Sequence, residues 1–376
     1  MQKLWKRLVS LLLTCTLLLG LMPMALAEDF EDEIEDLDDV DLVDDFEDDE
    51  DWDDFLIPDD VEEVAEDVLA WEVDDDVSPD DLEINPDLSD DVVNILMIGI
   101  DTRSKSMENE AGLQHNDVNI ILSINTKTGS IKLTSILRDL YVQIPGYKNK
   151  SRINNAYARG GGQLAMRTVN HNFKLNIQHY VTINFFGLAS IIEAVGGIDV
   201  DMTKGEANAI NQYIKAHPPV YDTKDHSERE PLEVVAGVQH LDGIQAVMYA
   251  RLRTGMKTGN GDFNRTARQR KLLELLLQKI MQDMTPQRLT ELMNISFPYV
   301  KTNVNPVEAL SLGYAVLKSD IVSRARGGEE LLAQHRVPMD KTYSYKTVEG
   351  ASVLNLSDAQ WKTNVNAVHD FIYGDN

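Results

Sequence analysis

Three charged residues lie at the ends of apolar runs, where a sheet would bring them together. Asp101 directly follows the run VVNILMIGI, Asp117 directly precedes VNIILSI, and Arg138 comes shortly after SIKLTSI. If the second and third runs pair as a hairpin, Asp117 and Arg138 share one sheet edge, and Asp101 and Arg103 join them if the first strand pairs nearby. Neighbouring carboxylates repel each other unless a cation lies between them, and carboxylates commonly bind Mg²⁺ together with substrate phosphates. Single Asp residues at loop ends also cap turns, so a purely structural role stays open.

A basic segment further along the chain could bind an anion. The stretch YARLRTGMKTGNGDFNRTARQR, residues 249–270, holds six Lys or Arg and one Asp. An extended YARLR would place Arg251 and Arg253 on one face. Guanidinium groups pair bidentately with phosphate oxygens, so these arginines, with Arg103 and Arg138, match a pyrophosphate. A solvated basic surface is the alternative, and no nucleic acid partner is expected because interleaved aromatic residues are missing.

A helix that begins near Asn264 would direct some of these side chains inward. At about 3.6 residues per turn, Arg265, Arg268 and Gln269 share a stripe with the leucines that follow, whereas Arg270 faces outward. Buried arginine is costly without a partner, and a cation at a helix N-terminus opposes the helix dipole. An anion bound at this point would relieve both costs.

The charge of the chain is concentrated in one segment. Residues 28–91 hold 35 Asp or Glu and no Lys or Arg, whereas residues 92–376 hold 32 Lys or Arg and 28 Asp or Glu. The formal net charge of −28 therefore belongs to an acidic linker, which is expected to be expanded and disordered because its like charges repel each other. This linker is either a spacer or a competitor for the basic site of the same chain.

Residues 1–27 have the features of a targeting segment. A basic start, an apolar run and a small-residue cleavage pattern are typical of a signal peptide, and the apolar run is also long enough for an N-terminal membrane anchor. In both cases the rest of the chain is expected to be extracytoplasmic. The only cysteine, Cys15, lies in this segment, so the mature chain is expected to have neither disulfides nor thiol chemistry.

From Val92 onward the composition predicts one folded domain, residues 92–376. Helix-like and strand-like patterns alternate after the three apolar runs, as helix 164–173, strand 179–184, helix 186–197 and strand 198–202. Residues 204–235 are polar and are predicted to form a loop. The alternation predicts an α/β or α+β class in which helices cover a sheet.

These residues resemble the LytR-CpsA-Psr family of cell-wall glycopolymer ligases. The resemblance covers residues 92–376 and rests on six ordered blocks: ILMIGIDTR, DVNIILSINTKTGSIKLTSILRDLYVQIPG, RINNAYARGGGQLA, YVTINFFGLASIIEAVGGIDVDM, LDGIQAVMYARLR and DFNRTARQR. It implies an α/β fold with a central mixed β-sheet flanked by helices. It also implies a hydrophobic groove for a polyprenyl chain, lined in part by residues 180–195 and the helix after Gln269.

The resemblance further implies a set of site residues. Asp101 and Asp117 match the aspartates that hold Mg²⁺, with Mn²⁺ as the alternative ion. The arginines that hold the pyrophosphate match Arg138, Arg251, Arg253, Arg265 and Arg268, with Gln269 beside them, and Asp101, Asp117, Arg138 and Arg265 are the expected catalytic residues. Two positions depart from the family, because His115 replaces a common arginine and Arg270 a common glutamine. Histidine is uncharged over much of the neutral range, which predicts a weaker or pH-dependent phosphate contact at His115.

The implied activity is Mg²⁺-dependent transfer of an anionic glycopolymer, resembling teichoic acid or capsule. The donor would be linked to polyprenyl pyrophosphate and the acceptor would be a peptidoglycan hydroxyl, at the cytoplasmic membrane or in the cell wall. Two alternatives remain: hydrolysis of the same donor by water, and non-catalytic binding of anionic wall polymers. The sequence Lys127-Thr128-Gly129 occurs without the Ser-x-x-Lys of penicillin-binding proteins, so that class is disfavoured.

Overall fold

The computed structural model describes residues 74, 77–100, 116–216, 230–252, 261–282, 299–305, 312, 316 and 319–374. The predicted site residues Asp101, Arg103 and Arg253, together with His115, lie outside this part of the chain. The segment 1–27 and residues 28–73 of the predicted linker also lie outside it. Within the described ranges, no helix has both the length and the apolar character needed to cross a bilayer.

A six-stranded mixed sheet forms the centre of the fold. Its strands are β1 (Val92–Ile100), β2 (Asn116–Asn125), β3 (Ile131–Ile136), β6 (His179–Asn184), β9 (Val300–Thr302) and β10 (Ala333–Val337). Their order across the sheet is β10-β3-β2-β1-β6-β9. The β1–β2–β3 meander is antiparallel, whereas β6 runs parallel to β1 and β10 parallel to β3. The predicted strands and the predicted hairpin are therefore confirmed.

Three two-stranded sheets and seven helices surround this sheet in the described part of the chain. The small strands are β4 (Tyr141–Val142), β5 (Ser151–Arg152), β7 (Ile198–Met202), β8 (Gly237–Leu241), β11 (Ser344–Val348) and β12 (Ala351–Asn355). The helices are α1 (Asn155–Phe173), α2 (Phe185–Ala194), α3 (Lys204–Ala216), α4 (Gly243–Arg251), α5 (Gly261–Gln282), α6 (Ile321–Arg326) and α7 (Asp358–Tyr373).

Helices cover both faces of the central sheet. Ile95 and Met97 pack into a core with α2, α4 and α5, whereas Leu96 and Ile98 pack into a second core with α1 and α7. A strand that is buried on both faces carries apolar residues at most of its positions, and β1 does so except at Asn94. The buried side chain of Asn94 is satisfied by hydrogen bonds with Ser123, Asn176 and Tyr373.

Residues 204–235 contain a helix, so the prediction of a loop is wrong for their first part. Helix α3 occupies Lys204–Ala216 and buries Ala207 and Ile210, while most of its polar residues face solvent. The narrow apolar stripe was hidden by the high average polarity of the segment.

The folded domain also begins before Val92, which is earlier than composition predicted. Leu82 is fully buried in the second core, and the backbone amide of Asn85 donates to the carbonyl of Leu175 at 2.9 Å. The exposed acidic residues around Leu82 give this segment the same composition as the linker, although buried Leu82 and the hydrogen bond of Asn85 attach it to the domain.

Candidate functional site

The β2–β3 hairpin brings Asp117 and Arg138 together at one edge of the sheet. An Nη1 of Arg138 donates to Oδ1 of Asp117, and Nη1 of Arg265 lies 3.5 Å from Oδ2 of the same carboxylate. Two guanidinium groups that are distant in sequence therefore converge on one aspartate. The predicted meeting of Asp117 and Arg138 is confirmed, and Arg265 joins them from α5.

Helix α5 directs Arg265 into the site because its buried stripe faces the sheet. Arg265, Arg268 and Gln269 are 5%, 0% and 7% exposed, so the predicted inward stripe is confirmed. The helix begins at Gly261, slightly earlier than expected, which places Arg265 within its second turn.

A cleft opens around the three charged residues. The start of β2, the end of β3 with the turn after it, α5 and the β11–β12 hairpin form its walls. The lining residues are Asp117, Val118, Asn119, Ile120, Ile136, Leu137, Arg138, Asp139, Phe263, Arg265, Thr266, Gln269, Tyr345, Ser352, Val353 and Leu354. Both signs of charge are present, which suits a phosphate bound together with a cation.

Asp139 is a second carboxylate of the cleft that sequence reasoning missed. Its Oδ1 lies 3.1 Å from Nη1 of Arg152, and its Oδ2 lies 3.7 Å from Nε of Arg138. Its position directly after Arg138 was the available signal. The carbonyl of Asp139 also accepts a 2.9 Å hydrogen bond from the amide of Leu354, which attaches the β11–β12 hairpin to the cleft.

A small apolar cavity adjoins the polar cleft. Val118 and Gln269 line both, and the remaining lining comes from β1, β6, α2, α4 and α5, through Gly99, Ile183, Asn184, Phe185, Leu188, Ala250 and Leu272. These residues include members of the two segments that were expected to line a lipid groove. The site thus combines a charged compartment with an apolar one.

Arg251 lies beside the apolar cavity rather than in the lining of the polar cleft. Its guanidinium carbon is 4.6 Å from the ring centroid of Phe185 and 5.8 Å from that of Tyr213. The expected extended conformation of YARLR is wrong, because α4 continues to Arg251. The helix turns Arg251 toward aromatic rings, which attract its charge through their negative faces.

Arg268 is buried away from the cleft lining and pairs with a carboxylate. Its Nε donates to Oε1 of Glu206 at 2.7 Å, and its Nη1 donates to the carbonyl of Leu252 at 2.7 Å. The cost of burying an arginine predicted that a bound anion compensates Arg268. Glu206 supplies that charge from α3, the helix that was mistaken for a loop.

Arg270 is buried, so the prediction that it faces outward is wrong. It is 3% exposed, and its Nη1 donates to the carbonyl of His335 at 3.3 Å. Burial, followed by the nearby charge of Arg336, lowers the pKa of Arg270 to about 8. Strand β10 covers the side of α5 that the helical count assigned to solvent.

Two carboxylates supply oxygen atoms to the cleft, and oxygen is the ligand type that divalent cations such as Mg²⁺ prefer. Asp117 and Asp139 line the cleft, and no group of three or more acidic, His or Cys side chains that could hold a metal occurs among the described residues. Mg²⁺ commonly keeps several waters and binds through one or two carboxylates plus phosphates, so such a donor set is suitable.

Comparisons with known proteins agree with this architecture. The LytR_cpsA_psr family model matches residues 64–368. The chain is 32% identical over 212 residues to the polyisoprenyl-teichoic acid–peptidoglycan teichoic acid transferase TagU of Enterococcus faecalis, covering 56% of this chain and 61% of that protein. It is 30% identical over 239 residues to the corresponding transferase TagV of Bacillus subtilis, covering 61% of this chain and 56% of that protein. The matches thus span less than two thirds of these relatives.

Solved structures show the same fold. TagT bound to LI-WTA has a TM-score of 0.56 and 20% identity, with 77% of this chain and 95% of that chain covered. The protein YwtF (TagT) with bound octaprenyl pyrophosphate lipid has a TM-score of 0.53 and 19% identity, with the same coverage.

Proposed function

This chain belongs to the LytR-CpsA-Psr family, and on that premise we propose that it transfers an anionic glycopolymer from a polyprenyl-pyrophosphate-linked donor to a peptidoglycan hydroxyl. The observation that carries the proposal is the convergence of Arg138 and Arg265 on Asp117 next to an apolar cavity. Relatives that are named teichoic acid transferases and a structural neighbour that holds octaprenyl pyrophosphate support it.

The two compartments correspond to the lipid and the pyrophosphate of such a donor. Arg138 and Arg265 supply forked donors for the pyrophosphate oxygens, and the apolar lining that begins at Val118 and Gln269 would contact the first isoprene units. Burial of isoprene carbons gains roughly 25 cal/mol per Å² of apolar area removed from water. The lipid therefore contributes affinity, and the arginines position the phosphorus.

The reaction is a phosphoryl transfer in which the acceptor hydroxyl attacks the phosphorus next to the glycan. The new bond joins the acceptor oxygen to that phosphorus, the bond to the bridging oxygen breaks, and polyprenyl phosphate leaves. Such transfers depend on positioning and charge stabilisation, which Arg138 and Arg265 provide for the developing negative charge. We assign acceptance of the hydroxyl proton to a carboxylate, either Asp117 or Asp101, which the family resemblance implies as its partner.

We further propose Mg²⁺ as the cofactor of this reaction. Asp117 would hold it together with Asp101, and the ion would supply neutralisation of charge on the pyrophosphate oxygens. The signal-like segment 1–27 supports a position outside the cytoplasmic membrane, either anchored to it or released to the wall.

Replacement of the two converging arginines tests the function. Arg138→Ala and Arg265→Ala are each expected to abolish transfer from a lipid-linked glycan to peptidoglycan while circular dichroism shows a folded domain. Arg159→Ala, which removes an exposed arginine that does not line the cleft, is the matched control and is expected to retain activity. Full transfer by the folded cleft variants would contradict the proposal.

The products distinguish transfer from its alternatives. Omission of peptidoglycan should abolish product formation, whereas a hydrolase would release the glycan phosphate into water. A non-catalytic binder needs the arginines but not the carboxylate, so Asp117→Ala would leave polymer attachment unchanged in that case.

A further inference from the structure

An aromatic cluster forms one wall of the cleft, on the side of the β11–β12 hairpin. It consists of Phe263, Tyr343 and Tyr345, and two of its members, Phe263 and Tyr345, line the cleft with Asp117 and Arg138. The rings of Phe263 and Tyr343 stack with centroids 5.4 Å apart, and Tyr345 meets Tyr343 edge to face at 5.7 Å.

Tyr345 is the most exposed residue of this cluster, whereas Phe263 and Tyr343 are half-buried. The guanidinium of Arg336 lies 4.3 Å from the centroid of Phe263, and Tyr343 stacks on the same ring, so both neighbours contribute to holding Phe263 in place. Tyr345 is 60% exposed, among the most exposed large hydrophobic side chains of the described residues. Its strand is held by pairing with Leu354, whose amide donates to the carbonyl of Asp139. The backbone of Tyr345 is therefore held by strand pairing, and its exposed ring contacts Tyr343 beside the charged residues of the cleft.

The position of the cluster follows the order of groups in the donor. The apolar cavity is lined from β1 and β6, and the charges lie at the start of β2 and the end of β3. Tyr345 lines the charged cleft but not the apolar cavity, on a hairpin that is attached to the segment after β3 by the bridge between Leu140 and Leu354. A lipid-linked glycan has the same order, namely isoprenoid, pyrophosphate and sugar. If the isoprenoid occupies the cavity and the arginines hold the pyrophosphate, the first sugar must leave toward Tyr345.

We propose that Tyr345 is a stacking platform for the pyranose ring that is attached to the donor pyrophosphate. This inference rests on the proposed function, because that function sets the orientation of the donor. The C–H face of a pyranose carries slight positive charge and packs on the negative face of an aromatic ring, while the sugar hydroxyls stay in water. Ligand sites typically combine such aromatic walls with a few convergent polar groups.

The test compares donors with and without a sugar, using the full chain. Tyr345→Ala is expected to raise the KM for a polyprenyl-pyrophosphate-linked disaccharide about tenfold, which corresponds to about 1.4 kcal/mol. The affinity of the Tyr345→Ala variant for sugar-free octaprenyl pyrophosphate is expected to stay within about twofold of the wild-type value, because the proposed contact of the ring is with the sugar and not with the lipid or the pyrophosphate. The KM for peptidoglycan should not change.

Two further variants separate the ring from other effects. Tyr345→Phe keeps the ring but loses the hydroxyl that hydrogen-bonds with Tyr343, and it is expected to retain most of the donor affinity. Tyr147→Ala removes a tyrosine that is 40% exposed and is not part of the cleft lining, so it should behave as wild type.

Specific results would overturn the platform. An unchanged donor KM in Tyr345→Ala, an equal loss of affinity for octaprenyl pyrophosphate, or an effect confined to the KM for peptidoglycan would each refute it, although the proposed function would survive. Failure of the wild type to bind octaprenyl pyrophosphate and to transfer glycan would overturn the proposed function, and the platform with it.

Discussion

Replacement of Arg268 tests whether this buried guanidinium holds the helices together or binds the donor. Arg268 is fully buried and donates to Glu206 and to the carbonyl of Leu252, each at 2.7 Å. The other carboxylate oxygen of Glu206 accepts from the amide and hydroxyl of Thr203 at 2.8 and 2.9 Å. Burial on its own raises the pKa of Glu206, but hydrogen bonds from Thr203 and Arg268 outweigh burial and lower it overall. Glu206 is therefore ionised at neutral pH, and the two residues form a buried ion pair that joins α3 to α5.

The expected destabilisation is large because removal of either side chain leaves the other as a buried charge without its partner. Removal of one partner of a buried ion pair typically costs about 3–5 kcal/mol. Each kcal/mol lowers the melting temperature of a large domain by about 2–4 °C, so Arg268→Ala should melt on the order of 10 °C below the wild type. Glu206→Ala should lose a comparable amount. The double variant should lose less than the sum, because neither charge then remains buried without its partner.

Thermal unfolding and donor binding measured together decide the role of Arg268. Arg167→Ala is the control, since Arg167 pairs with Glu83 at the surface, where such a pair contributes at most about 1 kcal/mol. A variant Arg268→Ala that melts like the wild type but no longer binds octaprenyl pyrophosphate would refute the structural role and place Arg268 in the pyrophosphate site.

Two further predictions concern stability. Burial, and secondarily the charge of Glu330, raises the pKa of Glu274 from an ordinary 4.5 to about 7. The folded state therefore holds the proton more tightly than the unfolded state does. The domain loses stability as pH rises from about 4.5 to about 7. Glu274→Gln removes this loss, which is about 3 kcal/mol at most, and should raise the melting temperature more at pH 8 than at pH 4; equal effects at both values would contradict the assignment. A Cβ on Gly243 would lie 2.1 Å from the carbonyl oxygen of Ala189, so Gly243→Ala should lower the free energy of unfolding by about 1–3 kcal/mol in urea titrations. The control Gly205→Ala, whose added carbon meets nothing closer than 3.9 Å, should be neutral or stabilising, and equal losses in both variants would refute steric crowding as the cause.

Local patterns in the sequence predicted the central strands and part of the site. Continuous apolar runs predicted β1, β2 and β3, and the short turn between the last two predicted the hairpin that joins Asp117 to Arg138. These features depend on residues that are close along the chain, so periodicity and turn composition were sufficient to find them. The inward direction of Arg265 likewise followed from the helical repeat.

The partners of buried charges could not be predicted in the same way. Arg268 pairs with Glu206, which lies 62 residues away, and the carbonyl of His335, 65 residues from Arg270, accepts its hydrogen bond. A helical count assigns residues to faces, but it contains no information about which faces other elements cover. The count therefore placed Arg270 in solvent, although β10 covers it.

By itself, the sequence determined which segments form strands and helices, where the acidic charge lies, and that arginines meet carboxylates at one edge of a sheet. Only the tertiary structure decided which arginines line the cleft, that Asp139 and Tyr345 belong to its wall, and that an apolar cavity adjoins it. The physical reason is that secondary structure follows from local periodicity, whereas the surroundings of a side chain are set by elements that pack against it from distant parts of the chain.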